Sequence, residues 1–97
     1  MITYVEDEGS AQYVRSIEFI EHQIEKALHE SECDLGTHPQ ATREIKGFLA
    51  KLINEYESYI KFAVEINPFC LKEIKELREA QRFWVDWRAE HFKKDTL

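Results

Sequence analysis

Between Tyr13 and Leu28 the apolar residues recur at alternating steps of four and three: Tyr13, Ile17, Ile20, Ile24 and Ala27/Leu28. An α-helix gathers that spacing into one stripe, because about 3.6 residues complete a turn. A strand would carry Glu18, Glu21 and Glu25 into the core. The same spacing returns twice. Ile45, Leu49, Leu52, Tyr56, Tyr59 and Ala63 form a second stripe, widened on both sides by Phe48, Ile53, Ile60, Phe62 and Val64. Ile74, Leu77, Gln81, Trp84 and Arg88 form a third line, flanked by Leu71 and Val85 on one side and by Phe69, Ala80, Phe83 and Trp87 on the other.

Punctuation between the stripes sets the boundaries. Gly9-Ser10 offers a helix start, with Ser10 as N-cap. Gly36 suits a left-handed stop, and Pro39 an opening turn. Asn67-Pro68 reads as an N-cap followed by a first helical position. The sequence therefore predicts an all-α chain forming one domain over 1–97. An arm at 1–9 precedes helices at about 10–32, 39–66 and 68–93. Short connections place neighbouring helices antiparallel, giving an up-down-up bundle of three long helices. Helices two and three carry wider apolar faces than a three-helix monomer needs. A second copy is the simplest cover, so a homodimer within a larger helical bundle is the expectation. The competing account of Phe83 and Trp87 is that the N-terminal arm covers them.

Composition excludes several classes. Hydrophobic residues make up 43% of the 97 and charged residues 33%, too apolar a mixture for a disordered chain. No apolar run approaches the roughly 20 residues that cross a bilayer, so no membrane partner is expected. The N-terminus lacks the basic start and apolar core of a signal peptide, which points to the cytoplasm. Cys33 and Cys70 are few and far apart, as in reduced thiols rather than a disulfide framework. The net charge of −6 is uneven: residues 1–36 carry nine acids against two bases, whereas 37–97 carry ten against eleven. An acidic first third repels phosphate backbones and favours a partner protein with a basic surface. Nucleic acid is not an expected partner.

Three constellations remain. Glu18, His22, Glu25, His29 and Glu32 follow one another at steps of four and three, on one stripe beside the core. Imidazole and carboxylate at that spacing can share a divalent transition metal such as zinc, or simply line a wet flank. In an up-down-up bundle, His29, Cys33, His38 and His91 also converge on one pole, where thiolate and imidazole would suit zinc. The chain holds no Glu-x-x-His pair of the kind that builds carboxylate di-metal bundles, no Gly-rich phosphate loop and no nucleophile turn. No cofactor is expected unless that histidine set is real. The third constellation is the aromatic stretch Phe83-Trp84-Val85-Asp86-Trp87-Arg88, with residue types that carry interface energy. Trp84 falls on the core line; Phe83 and Trp87 share a flank.

These features predict a non-enzymatic protein–protein interaction module: a small acidic helical regulator, inhibitor or chaperone-type protein acting as a dimer. Phe83, Trp87 and Phe62 would serve the dimer or partner contact, and Glu18 and Glu25 would face a basic partner. The alternative is a metal-binding helical protein using His22, His29, Cys33, His38 or His91 with Glu18 and Glu25.

Overall fold

A computed structural model of the chain describes residues 8–30 and 39–92. Three helices account for nearly all of them: α1 (Glu8–Glu30), α2 (Pro39–Ile66) and α3 (Leu71–His91). No strand occurs among the described residues, and the fold is an all-α helical bundle.

The stripes read from the sequence are the core. Ile17, Ile20, Ile24 and Ala27 of α1 are buried against Ile45, Leu49, Leu52, Tyr56, Tyr59, Ile60 and Ala63 of α2. Ile74 and Leu77 of α3 join them, as does Phe92 just beyond it. At 28 residues α2 is about 42 Å long, close to the 46 Å long axis of the Cα trace. The other two extents, 25 and 16 Å, describe a flat molecule with α2 in the middle. Both α1 and α3 pack on α2, while no Cα of α1 comes within 8 Å of one in α3. The ring of Tyr13, early in α1, stacks on Tyr59 (5.3 Å between centroids, 3° between planes) and tilts against Phe62 at 5.4 Å, late in α2. The late α1 residues Lys26, Ala27 and Glu30 share a groove with the early α2 residues Glu44 and Phe48.

Two expected helix starts are corrected. Helix one begins at Glu8, so Glu8 and Gly9 belong to it rather than to an arm. Ser10 lies within its first turn instead of capping it, and is fully buried; its hydroxyl has no hydrogen-bond partner among the described residues. Helix three begins at Leu71, not Pro68. The reason is local. Asn67 Oδ1 accepts from the Phe69 amide (3.2 Å), and the Asn67 carbonyl from the Cys70 amide (3.1 Å). The second of these closes a tight turn over 67–70, and the first α-helical bond follows it, from the Ile74 amide to the Cys70 carbonyl at 3.0 Å. Asn and Pro are turn formers as readily as helix starters. Helix two matches its expected bounds. Helix three ends at His91, with the Phe92 amide donating to the Arg88 carbonyl (2.9 Å). The expected arm up to Asp7 and the first interhelical loop lie outside the described residues.

Candidate functional site

One polar node joins all three helices. Glu21 sits on the edge of the α1 stripe and is half-buried. Its Oε2 accepts from the Trp84 indole Nε1 of α3 at 3.0 Å and from the Tyr56 hydroxyl of α2 at 3.4 Å. Burial raises the Glu21 carboxyl above its ordinary 4.5, outweighing the Trp84 and Tyr56 bonds, which favour the charged form; the neighbouring Glu25 charge adds to the rise. Burial likewise pushes the Tyr56 phenol upward, helped by the Glu21 charge and the hydrogen bond to it, so Tyr56 remains a donor. Sequence periodicity places Trp84 on the core line. It cannot show that the indole N–H needs an acceptor, or that Glu21 supplies one. The useful signal is general: a buried-side Trp seeks a partner for its N–H.

A second polar contact lies one turn along α3. Gln81 Nε2 donates to the Ile53 carbonyl (3.2 Å) and to Glu57 Oε2 (3.1 Å), both on α2. A glutamine on an apolar line is explained by these two acceptors.

The aromatic stretch becomes a row of touching rings. Phe83 meets Trp84 edge-on at 5.1 Å, and Trp84 meets Trp87 at 6.1 Å. Trp87 contacts Phe92 at 6.0 Å and stacks on the His91 imidazole at 3.9 Å. His91 Nδ1 lies 2.9 Å from the Trp87 carbonyl, placed to donate to it. The Lys46 ammonium stands 5.3 Å from the Phe92 ring centroid, a cation–π contact. Trp87 is half-buried and packs on the core, and Phe62 is half-buried under Tyr13. Phe83 is 59% exposed. Of the other exposed apolar side chains, Val64, Ile66, Phe69 at 90% and Leu71 at 71% gather near the turn between α2 and α3, and Phe19 stands out from α1 at 63%.

Glu18, His22, Glu25 and His29 are all exposed along α1, and His91 is exposed at the end of α3. Among the described residues, no three His, Cys, Asp or Glu side chains form a group that could hold a metal ion. Glu32, Cys33 and His38 lie outside the described residues. No described helix is long and apolar enough to cross a membrane.

No family model matches this chain, and no curated protein or solved structure matches it either. Its chemistry must be read from its own side chains. Among the described residues, the Glu21 node joins all three helices and the α3 aromatic row joins α3 to the core.

Proposed function

We propose that the chain is a non-enzymatic protein–protein interaction module of the cytoplasm, acting as a homodimer with its helices in up-down-up order. It would serve as a small acidic regulator, inhibitor or chaperone-type protein. The observation that carries the reading is the ring row on α3, whose outermost member, Phe83, is 59% exposed while held edge-on against Trp84. A rigid exposed aromatic beside two tryptophans loses little conformational freedom on binding, as interface anchors do. Trp87, half-buried against Trp84, would support this contact from behind, and Phe62, half-buried against Tyr13, would lie beside it in the dimer. The exposed Glu18 and Glu25 on α1 leave an acidic face for a basic partner.

Size exclusion coupled to light scattering tests the dimer: a mass about twice 11.6 kDa at tens of micromolar is expected, and Phe83→Glu should return it to 11.6 kDa. A monomer in both proteins would refute the homodimer. Elemental analysis of tag-free protein tests the metal-binding alternative; stoichiometric zinc lost in His29→Ala would favour it over the interaction module.

A further inference from the structure

We propose that α3 is a detachable helix, opening from α2 as a unit about the turn at 67–70, with the Trp84–Glu21 hydrogen bond as its latch. This does not rest on the homodimer.

Four observations converge. First, α3 leans on α2 alone at the level of the backbone, since no Cα of α1 lies within 8 Å of it. Among the described residues, Trp84 Nε1 ties it to α1 by a side-chain hydrogen bond to Glu21 Oε2 at 3.0 Å. Second, α3 commits little to the core. Ile74 and Leu77 are its fully covered residues, with Phe92 beyond its end and Ala80, Trp84 and Trp87 half-buried against the core, whereas α1 and α2 contribute four and seven buried apolar side chains. Third, the middle of its docking face is polar. Gln81 reaches the Ile53 carbonyl and Glu57, and Trp84 reaches Glu21. Water can replace such bonds when a helix lifts, at a modest net cost for each. Buried apolar contacts have no such substitute. Fourth, the turn satisfies itself. The Phe69 and Cys70 amides donate to Asn67, the Asn67 amide donates to the Ala63 carbonyl, and Asn67, Pro68 and Phe69 are exposed. These bonds end at the Cys70 amide, so α3 can swing about the Cys70 backbone without breaking them. Cys70, at the N-cap of α3, adds no side-chain bond to hold the helix end.

Opening would expose Ile74, Leu77, Phe92 and the inner faces of Ala80, Trp84 and Trp87, while the contacts between α1 and α2 stay in place. Sub-global opening of this kind is expected of the element with the fewest buried apolar contacts. The Glu21 latch sets how often it happens.

Peptide-resolved amide hydrogen exchange on the full chain at neutral pH tests this. Amides across 74–88 should exchange at one common rate, roughly ten-fold or more faster than those in the middle of α2. Trp84→Phe, which loses both the hydrogen bond and part of the indole's packing, should speed α3 exchange about thirty-fold and leave α2 unchanged. Glu21→Ala, which removes the acceptor from the other side, should also speed α3 exchange, and by more than it speeds α2, where Tyr56 loses its acceptor too; it serves if Trp84→Phe fails to fold. Three results would overturn the proposal: α3 protected as well as α2 in the unmodified chain, a gradient of exchange rising steadily toward His91 (end fraying), or variants that speed all helices equally.

Discussion

Trp84→Phe paired with Glu21→Ala in a double-mutant cycle measures the contact on which the arrangement of α3 depends. The indole N–H meets a carboxylate oxygen at 3.0 Å. A hydrogen bond to a charged group contributes roughly 1.5–3 kcal/mol net when buried. Both partners here are half-buried, so water competes and the contribution falls to about 1 kcal/mol. Phe also lacks the fused second ring of Trp, and losing that half-buried apolar surface costs about 1 kcal/mol more. Trp84→Phe alone should therefore destabilise by about 2 kcal/mol. Glu21→Ala leaves the buried Tyr56 hydroxyl without its acceptor as well as the indole, at about 1–3 kcal/mol, partly offset by removing a carboxylate that burial disfavours. Because both variants break the same bond, the double variant should be less destabilised than the sum of the two by about 1 kcal/mol. Urea unfolding followed by far-ultraviolet circular dichroism gives all four stabilities. Additivity within about 0.3 kcal/mol would show that the 3.0 Å contact contributes nothing to holding α3.

Gly47 sits exposed in α2, and a Cβ added there meets no atom within 4 Å. Gly47→Ala should thus stabilise the chain by about 0.5–1 kcal/mol, read as a higher urea midpoint; destabilisation would mean that the site is crowded. The raised Glu21 carboxyl makes a signed pH prediction. Such a group binds its proton more tightly in the folded chain, so its contribution to stability is fully present below its ordinary 4.5 and is lost as pH rises through the raised value. The stability of the wild type relative to Glu21→Gln should fall across that window, and unfolding midpoints that diverge the other way would contradict the burial account. Phe83→Ala should change unfolding stability by no more than about 0.5 kcal/mol, since the ring is 59% exposed, while weakening self-association in light scattering. A large loss of stability at unchanged mass would assign Phe83 to the core instead.

Much of the fold was legible because a helix core is a matter of spacing. Ile17, Ile20, Ile24 and Ala27, and the whole stripe from Ile45 to Ala63, are buried where the three-four rhythm put them. Periodicity is fixed by backbone geometry, so it survives without knowledge of any neighbour. The turn at 67–70 was less legible, because Asn-Pro satisfies either a helix start or a turn, and which one forms depends on the direction in which α3 must leave α2. The aromatic stretch was visible as composition, but not the division of labour within it. Trp87 is half-buried against the core, Phe83 is exposed, and His91 stacks on Trp87.

The sequence by itself determined three amphipathic helices, their faces and the acidity of the first third, since each depends on residues close together along the chain. Tertiary structure alone decided that Glu21, 63 positions before Trp84 and 35 before Tyr56, accepts from both. Hydrogen-bond partners across helices are set by the distance and rotation between axes, and no local pattern encodes those. A charged residue beside an apolar stripe reads the same whether it faces water or an indole. Only the third helix, placed against the second, tells the two apart.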